Sequence, residues 1–373
     1  MSAVYETDVV IVGGGIVGTS AALALRKRGI GVVLLERDFC GSRSSGVNFG
    51  GVRRQGRPLI QLPLSQRAYA VWNDLPGHIG IDGEFVRSGH LKLARSDADM
   101  ASLERYANET QDFGLELELL SREDVRRRFP WVGDAAVGAS LCPGDGHANP
   151  RLVSPAFAAA ARRHGAVVHE QTPVARIDDD GEGFRVTTAS GAAFRSGWLL
   201  NCAGAWAASL AAQYGEPVPM HAGHPAMLVT EPMPVFMTAS TGVEGGGIYA
   251  RQVTRGNCVI GGGQGFALDD SRARVGPQTL TSLLREAVAL FPLLKGAHVI
   301  RTWSGTEGYL PDRQPIIGFS GIRRRLLHGF GFAGGGFQIG PAVGEVLADL
   351  VCEGRTETPI APFSIQRFQP AAA

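Results

Sequence analysis

Three glycines and one acid near the start of the chain have a spacing that could bind a nucleotide. In VGGGIVG, Gly13, Gly15 and Gly18 satisfy G-x-G-x-x-G, and Glu36 ends the next apolar run. The first glycine would allow a tight turn, the second a close approach of the backbone to a pyrophosphate, and the third tight helix packing. Glu36 would accept hydrogen bonds from ribose hydroxyls and repel a 2′-phosphate. The pattern predicts dinucleotide binding; the alternative is a turn that only joins a strand to a helix.

The residues around these glycines predict the elements that position them. DVVIVGG is a continuous apolar run, typical of a strand buried on both faces of a parallel sheet. Helical spacing follows from Ile16 to Arg28 with Gly29 as the stop, and GVVLLE is a second buried strand. The free N–H groups and the positive dipole end of this helix would meet phosphate oxygens. The candidate cofactor contacts of the unit are Gly13, Gly15, Ile16, Val17, Gly18, Glu36 and Arg37.

A loop of small residues follows Glu36, where a domain that binds NAD would usually continue into its next helix. The stretch RDFCGSRSSGVNFGGVRR spans residues 37–54. Small side chains suit close backbone contact with a second, larger group, which favours FAD over NAD; a flexible surface loop is the alternative. The candidate contacts here are Ser44, Ser45, Asn48, Gly50 and Gly51.

Two distant segments repeat the pattern of a strand followed by small residues. GWLLNCAGAWAASLA, residues 197–211, and LLHGFGFAGGGFQIGPAVGEVLADLV, residues 326–351, each predict a strand, a loop and a helix. The dipole of the second helix could face negative charge at the N1/C2 edge of a reduced flavin, although a turn with packing glycines is the alternative. Because these segments lie far from the first motif, the nucleotide domain must be discontinuous. The candidate contacts are Val174, Ala203, Gly204, Trp206, Gly334, Gly335, Gly336, Phe337 and Gln338.

The segments between these motifs predict a second domain. Short strands such as PAMLVTEP and GGGIYARQ alternate with turns, which is the pattern of an antiparallel sheet. We therefore expect an α/β protein with a discontinuous Rossmann-type FAD-binding domain and a second domain built on a mixed or antiparallel sheet. The FAD-binding domain would comprise residues 1–84, 146–214 and 300–373, and the substrate-binding lid residues 85–145 and 215–299.

The composition excludes several other kinds of protein. The 36 Lys and Arg residues balance 35 Asp and Glu, so a nucleic-acid partner is not expected. The N-terminus lacks the features of a signal peptide and no apolar run is long enough to span a membrane, which favours a cytoplasmic location without a transmembrane segment. The cysteines form no CxxC pair and have no metal-ligand spacing, so no metal site is expected. They are Cys40, Cys142, Cys202, Cys258 and Cys352.

Four segments, in order, resemble the FAD-dependent D-amino-acid oxidase superfamily, which includes glycine oxidase, sarcosine oxidases, D-amino-acid dehydrogenases and β subunits of heteromeric amine dehydrogenases. They are VVIVGGGIVGTSAALALRKRG, SRSSGVNFGGVR, LLNCAGAWA, and PDRQPIIG with GFGFAGGGFQIGPAVGEVLADL. The resemblance implies FAD with its ADP half on the first motif and its isoalloxazine between two lobes. It also implies oxidation of a small secondary amine or amino acid, in which hydride passes from the carbon next to nitrogen to flavin N5 and the imine hydrolyses.

Two positions depart from such relatives. In sequences like glycine oxidase, the turn that matches WSGTEGYLPD carries an Arg that holds the substrate carboxylate. Here Glu307 stands at that position, and it would rather meet an ammonium or guanidinium group; a solvated turn residue is the alternative. In monomeric sarcosine oxidases the same turn carries a Cys that links the flavin, whereas here the position is Gly305. We therefore expect noncovalent FAD.

Two further stretches look more like the β subunits of heteromeric sarcosine, opine or D-hydroxyproline oxidising complexes. They are HAGHPAMLVTEPMP and the FAGGGFQ loop, which has no histidine. In such complexes the partner subunits supply further cofactors or a channel. The resemblance thus implies a hetero-oligomer with small cofactor-carrying subunits, and ordinary variation in a solitary enzyme is the alternative.

Other polar residues could replace the missing arginine. Arg53 and Arg54 directly follow the small-residue loop, and Arg251 lies beside Tyr249 on a predicted lid strand. Any of these arginines could bind a carboxylate bidentately, and the tyrosine could form an aromatic wall or donate its hydroxyl. Two histidines could also lie near the flavin, although a lone histidine is more often structural. The substrate-contact candidates are Glu307, Tyr249, Arg251, Arg53 and His224, together with Arg54 and His147.

These observations predict FAD-dependent oxidation of a C–N bond in an amino acid or N-substituted amino acid. An opine, a sarcosine-like N-alkyl amino acid and a D-proline-type imino acid are the favoured substrates. One alternative is a 2-hydroxy acid or glycerol-3-phosphate-type dehydrogenase, which oxidises a C–O bond on the same fold. Another is a noncatalytic subunit that binds FAD to hold an assembly together.

Overall fold

The computed structural model describes residues 4–369. Within this range the strands are β1 (Val4–Val12), β2 (Val32–Leu35), β3 (Gly51–Val52), β4 (His90–Ala94), β5 (Glu118–Ser121), β6 (Gly138–Cys142), β7 (Gly146–His147), β8 (Val167–His169), β9 (Val174–Asp179), β10 (Phe184–Thr188) and β11 (Ala193–Asn201). They continue with β12 (His221–Gly223), β13 (Pro225–Pro232), β14 (Ser240–Val243), β15 (Tyr249–Gln252), β16 (Asn257–Gln264), β17 (Phe266–Ala267), β18 (Ala273–Arg274), β19 (Val299–Ser304), β20 (Glu307–Tyr309), β21 (Ile316–Phe319) and β22 (Leu326–Phe330).

The helices alternate with these strands. They are α1 (Ile16–Lys27), α2 (Ser44–Val47), α3 (Leu62–Asn73), α4 (Leu75–Ile79), α5 (Asp97–Glu109), α6 (Arg122–Arg128), α7 (Pro150–Arg163), α8 (Ala207–Gln213), α9 (Pro277–Leu290) and α10 (Gly336–Glu353). The helix predicted from Ile16 is observed as α1, and Asn149 caps α7 by accepting from the Arg151 N–H at 3.1 Å.

The first sheet contains the predicted nucleotide-binding unit. Its order is β21-β22-β11-β1-β2-β8, and the five strands from β22 to β8 are parallel, while β21 is antiparallel to β22. Val9, Val10 and Ile11 are completely buried, as expected for a strand covered on both faces. Helix α1 connects β1 to β2 and packs on α10, where a Cβ on Gly344 would overlap Ser20.

The second sheet follows the order β17-β18-β19-β13-β16-β15-β14-β4-β6-β5 and is largely antiparallel, with one parallel pair between β14 and β4. A separate hydrophobic core lies between this sheet and the helices α6 and α9. Leu228 and Ile260 contribute to it from the strands, and Leu283 and Phe291 from α9 and the turn that follows. The predicted antiparallel sheet is therefore present, with its own core.

The chain passes between the two sheets more than once. Strands of the first sheet come from residues 4–35, 167–201 and 316–330, and those of the second come from residues 90–142 and 225–304. The predicted fold class, a discontinuous Rossmann-type domain with a second sheet domain, is confirmed. The exact domain limits stay a prediction, and a limit after β19 rather than at residue 300 would keep that strand in the sheet where it pairs with β13.

The cysteines of the described range are all free. Cys40, Cys142, Cys202 and Cys258 are buried, and Cys352 is exposed. Among residues 4–369, no cluster of His, Cys, Asp and Glu could hold a metal ion. None of the helices in that range is long and apolar enough to cross a membrane.

Candidate active site

A cavity of about 460 Å³ lies at the carboxyl edge of the first sheet. Residues that directly follow β1, β2, β11 and β22 form its wall, and ligands of open α/β sheets bind at this edge. The cavity extends to the beginning of α10 and to β20. Four segments that are far apart in sequence therefore meet at one site, as the predicted discontinuous domain requires.

The first glycine turn has the geometry that a phosphate-binding turn needs. Gly13 has φ +108°, a conformation that L side chains rarely adopt, and a Cβ there would overlap the Cys202 carbonyl. A Cβ on Gly18 would overlap the Gly13 carbonyl oxygen, so this glycine lets α1 start directly against the turn. The N-cap of α1 is Gly15, which has no side chain to satisfy the first N–H groups, and the first turn contains no acidic residue. The N–H groups that follow Ile16 are therefore available to an anion.

Backbone amides hold the Glu36 carboxylate in place. The Gly14 N–H donates to Oε2 at 2.6 Å, and the Asp38 N–H donates to Oε1 at 2.8 Å. Glu36 is 8% exposed and lines the cavity. A carboxylate fixed in this way can accept further hydrogen bonds from ribose hydroxyls without reorganising.

The small-residue loop after β2 is built on the same turn. The Ser45 hydroxyl accepts from the Ile16 N–H at 2.9 Å, and the Ser44 hydroxyl donates to the Thr306 carbonyl. Asn48 donates to the carbonyls of Ser44 and Ser45 at 2.9 and 2.8 Å. The predicted loop thus contains the short helix α2, whose side chains are held between α1 and the strand region near β20.

Arg37 and Trp206 form one wall of the cavity. The Arg37 guanidinium carbon lies 3.7 Å from the centroid of the Trp206 ring. Burial lowers the Arg37 pKa, assisted by the charge of Arg43. Its NH2 group is buried and has no hydrogen-bond partner among residues 4–369. An acceptor on a bound nucleotide would satisfy this group, so the wall fits the predicted FAD.

The loop before α10 brings a helix N-terminus to the other end of the cavity. Ala333 has φ +46° and Gly334 has φ +83°, so the chain turns sharply before the helix begins at Gly336. The first turn of α10 has no acidic residue. Its positive dipole end would favour negative charge on a flavin edge, which again fits FAD.

Most predicted cofactor contacts line this cavity. They are Gly13, Gly15, Ile16, Val17, Glu36, Arg37, Ser44, Ser45, Asn48, Val174, Ala203, Gly204, Trp206, Gly334, Gly336 and Phe337. The remaining ones lie behind the wall and are Gly18, Gly50, Gly51, Gly335 and Gln338.

Several of these five residues have contacts within the protein, and their part in cofactor binding stays a prediction. Gly50 has φ +84° and a Cβ there would overlap the Ala148 carbonyl, while Gly51 is part of the short strand β3. Gln338 exchanges hydrogen bonds of 3.0 Å with the hydroxyl and the carbonyl of Ser65. Small residues can serve close packing as well as close ligand contact, and sequence spacing alone does not separate the two.

Sequence reasoning missed other residues of the wall. Arg43 lies inside the predicted small-residue loop, and its positive charge could have suggested contact with the phosphates of a dinucleotide. Thr172 and Pro173 follow β8, so the rule that ligands bind at the carboxyl ends of strands could have found them. Phe332 and Ala333 belong to the C-terminal glycine loop.

Glu307 lies in strand β20, not in a solvated turn, and lines the cavity. The Tyr309 hydroxyl donates to Glu307 Oε2 at 2.9 Å. Burial raises the pKa of Glu307, opposed by this hydrogen bond and by the charge of Arg313. The carboxylate lies beside Gly334 of the loop before α10. The residue is therefore a half-buried acid beside the loop before α10, where the flavin is expected. We call this part of the cavity its flavin end.

Tyr249 and Arg53 are not among the residues that line the cavity. Tyr249 packs edge-on against Phe49 with ring centroids 4.8 Å apart, and its hydroxyl lies 3.8 Å from Met227 Sδ. Burial raises the pKa of Tyr249; the charge of Glu307 raises it further and that of Arg53 lowers it. Burial also lowers the pKa of Arg53. Both residues are partly accessible to solvent.

Arg251 and His147 form hydrogen bonds with other groups of the protein. The Arg251 Nε–H donates to the Phe49 carbonyl at 2.7 Å, and its NH1 lies 3.3 Å from His147 Nδ1. Burial lowers the pKa of Arg251 to about 10, and burial together with the arginine charge lowers that of His147 to about 3. His147 is thus neutral at physiological pH and can accept from Arg251. These contacts favour a role for both residues in holding the loop at Phe49.

Arg54 and His224 also have protein partners. Arg54 forms a buried ion pair with Asp145, Nε to Oδ1 at 3.1 Å. His224 Nδ1 lies 3.1 Å from the Gly305 carbonyl, next to the strand that carries Glu307. Of the substrate-contact candidates, Glu307 lines the cavity, whereas the other six are not among its lining residues, namely Arg53, Arg54, His147, His224, Tyr249 and Arg251.

Comparisons with known proteins agree with this architecture. The family model described as FAD dependent oxidoreductase (DAO) matches residues 8–350. Glycine oxidase of Geobacillus kaustophilus (strain HTA426) is 30% identical over 372 residues, which cover 97% of each chain. A subunit of the opine oxidase of Rhizobium meliloti is 28% identical over 382 residues, which cover 98% of each chain.

Solved structures show the same similarity. The crystal structure of glycine oxidase from Geobacillus kaustophilus has a TM-score of 0.91 at 27% identity, covering 97% of this chain and 99% of that one. The crystal structure of L-proline dehydrogenase from P. horikoshii has a TM-score of 0.90 at 26% identity, covering 98% of this chain and 99% of that one.

Proposed function

This chain belongs to the DAO family of FAD-dependent oxidoreductases, and we propose that it oxidises the C–N bond of an amino acid or N-substituted amino acid. FAD is its cofactor and, when bound, supplies the acceptor for a hydride. The rest of the reaction depends on how the protein binds and orients the substrate. The resemblance found in the sequence is thereby confirmed at the level of family, cofactor and enzyme class.

The observation that carries the proposal is an acid in the wall of the cofactor cavity. Glu307 lines the cavity, and its carboxylate lies beside Gly334 of the loop before α10. Arg53 follows Phe49 by four residues, and the ring of Phe49 packs against Tyr249. An amino acid is a zwitterion with a carboxylate and an ammonium group. Arg53 would bind the carboxylate through two N–H donors, and Glu307 would accept from the nitrogen.

Tyr249 completes this arrangement as an aromatic wall. Its ring covers Gly261, where a Cβ would overlap it, so the tyrosine is fixed against strand β16. Its hydroxyl has only the weak contact with Met227 Sδ within the described range, and it can donate to a substrate oxygen. A substrate held at three points would present one C–H bond in a defined direction.

The names of the relatives support this substrate class. Glycine oxidase, opine oxidase and L-proline dehydrogenase are each named for a compound that carries nitrogen next to a carboxylate-bearing carbon. We favour an N-substituted amino acid of the opine, sarcosine or D-proline type, because Glu307 offers an acceptor where an arginine would serve a simple carboxylate.

We further propose that the protein works with partner subunits and binds FAD without a covalent bond. The relative from Rhizobium meliloti is, by its name, one subunit of an opine oxidase assembly. Gly305 stands where monomeric sarcosine oxidases have a cysteine that links the flavin, and a Cβ added at this glycine would meet Val47. A cytoplasmic location stays a prediction.

Anaerobic mixing of the purified yellow protein with a panel of substrates tests the function. The panel contains opines, N-alkyl amino acids, D- and L-proline, glycine, 2-hydroxy acids and glycerol 3-phosphate. We expect bleaching of the flavin absorbance near 450 nm by at least one amino compound and by none of the hydroxy compounds. Bleaching by hydroxy compounds alone would contradict the proposal.

A further inference from the structure

Glu307 is a half-buried acid without an ion-pair partner. Within residues 4–369, the Glu307 carboxylate accepts one hydrogen bond, from the Tyr309 hydroxyl. No basic side chain in that range lies within 4.0 Å of this carboxylate. Such a group is costly to keep charged unless a cation joins it. Because the carboxylate lines the cavity, the cation can come from the substrate.

An amine substrate arrives in the wrong protonation state for oxidation. Amino groups are mainly ammonium ions at neutral pH. The nitrogen lone pair must form the C=N bond as the hydride leaves the neighbouring carbon, and in an ammonium ion that pair is used in an N–H bond. One proton must therefore leave the nitrogen before the hydride does.

We propose that Glu307 is the base that takes this proton, an inference that rests on the proposed function. The N–H bond of the bound ammonium breaks, and an O–H bond forms on the Glu307 carboxylate. The freed lone pair forms the C=N bond while the C–H electron pair leaves as hydride to FAD. The product is an iminium ion, and Glu307 returns its proton to water before the next cycle.

The surroundings of Glu307 suit a base that works near neutral pH. Burial raises its pKa, which brings a carboxylate closer to the pH at which it must accept and release a proton. Tyr309 remains protonated, because burial and the charge of Glu307 raise its own pKa, so it stays a donor to the carboxylate. Arg313 opposes the effect of burial on the pKa of Glu307.

The other titratable groups around Glu307 are placed to bind and not to compete. Tyr249 faces it from β15 and has a pKa raised by burial, so its hydroxyl keeps its proton. His221 stacks on Tyr309 with ring centroids 5.7 Å apart, and His224 contacts the Gly305 carbonyl. Of these groups, Glu307 is the one that lines the cavity.

The rate constant of anaerobic flavin reduction, measured against pH at saturating substrate, tests this role. The native enzyme should lose rate as the pH falls and Glu307 becomes protonated. E307Q should be slower by about 100-fold or more at pH 7.5, within the usual range for loss of a general base. Its rate should then rise with pH toward the pKa of the substrate amine, where the substrate is already present as the free amine.

Two further variants provide a second test of the pH dependence and a control. Y309F removes the hydrogen bond that favours the charged carboxylate, so the low-pH loss of rate should move to higher pH. E104Q changes an exposed glutamate on α5 and should behave like the native enzyme. Flavin content and visible spectra of each variant show that the site is intact.

The outcomes separate this role from simpler ones. If E307Q reduces its flavin within threefold of the native rate at pH 7.5, and only the substrate Kd changes, Glu307 binds the nitrogen without taking its proton and the inference is wrong. If no amino compound reduces the native enzyme, the proposed function itself fails. The two failures are distinguishable because the native enzyme is measured first.

Discussion

Arg251 donates its Nε–H to the carbonyl of Phe49 over 2.7 Å, which ties the second sheet to the loop that passes the flavin end of the cavity. Arg53, four residues beyond that carbonyl, donates from NH1 to the Gln55 carbonyl of its own loop and keeps partial accessibility. The two arginines therefore have different roles although both were candidates to bind a carboxylate. This contrast can be measured with matched substitutions.

We predict that R53K and R251K have different effects. R53K should raise the KM for the carboxylate substrate by about 10- to 100-fold, because lysine cannot donate bidentately, with little change in thermal stability. R251K should lower the free energy of unfolding by about 1–3 kcal/mol, because buried groups at Phe49 and His147 lose their partner. Steady-state kinetics and thermal unfolding of both variants provide the comparison, and an equal KM for R53K and the native enzyme would argue against Arg53 as the carboxylate site.

We predict that FAD binding depends on the close packing of Gly18. G18A would place a methyl group onto the Gly13 carbonyl oxygen and push the phosphate-binding turn away from α1, so the purified variant should contain little flavin. G296A is the matched control, since a Cβ at that exposed glycine meets no atom within 4 Å. The ratio of absorbance at 450 nm to that at 280 nm measures the outcome, and a normal flavin content in G18A would contradict it.

We predict that the flavin is released by denaturation. Precipitation with trichloroacetic acid should leave FAD in the supernatant and a colourless pellet, because no thiol stands at Gly305 and the cavity-lining Cys202 is buried with a pKa raised to about 12. A thiol in that state is a poor nucleophile. A yellow pellet after acid treatment would show a covalent link.

We predict that Asp145 is important for stability. Its carboxylate accepts from the backbone N–H groups of Arg54 and Gln55, both at 2.9 Å, and pairs with the almost fully buried Arg54 side chain. D145N should destabilise the protein by about 3–5 kcal/mol, because it leaves a buried guanidinium without its partner. D134N, which alters the exposed pair with Arg126, should leave the free energy of unfolding almost unchanged, because solvent screens that pair. Equal denaturation midpoints for the two variants would exclude this role.

Elements that depend on a short, local sequence pattern can be predicted from the sequence alone. The glycine turn at Gly13 and the helix from Ile16 are set by spacing over a few residues, and the helix is predicted at its observed start. The fold class follows because strands and helices alternate in the first and last thirds of the chain. Local periodicity and a known motif are enough for this part.

Contacts between distant residues cannot be predicted in the same way. Arg251 meets Phe49 across about 200 residues, so no local pattern shows that its guanidinium is already occupied. The sequence places Glu307 in a turn, but pairing of β20 with β12 makes it part of a strand, and its side chain lines the cavity. Gln338 is predicted as a cofactor contact, and its hydrogen bonds with Ser65, 273 residues earlier, could not be read from the local sequence.

The central claim, oxidation of a C–N bond, is tested most directly by the products of a single turnover. The enzyme is mixed without oxygen with one equivalent of the substrate that bleaches its flavin, and amine, ammonia and carbonyl compounds are quantified. We predict one equivalent of a carbonyl compound and one equivalent of amine or ammonia for each flavin reduced. A cyclic substrate would instead give a cyclic imine, which o-aminobenzaldehyde would trap. A reduced flavin accompanied only by a keto acid or ketone, with all substrate nitrogen still bound to its original carbon, would contradict the claim.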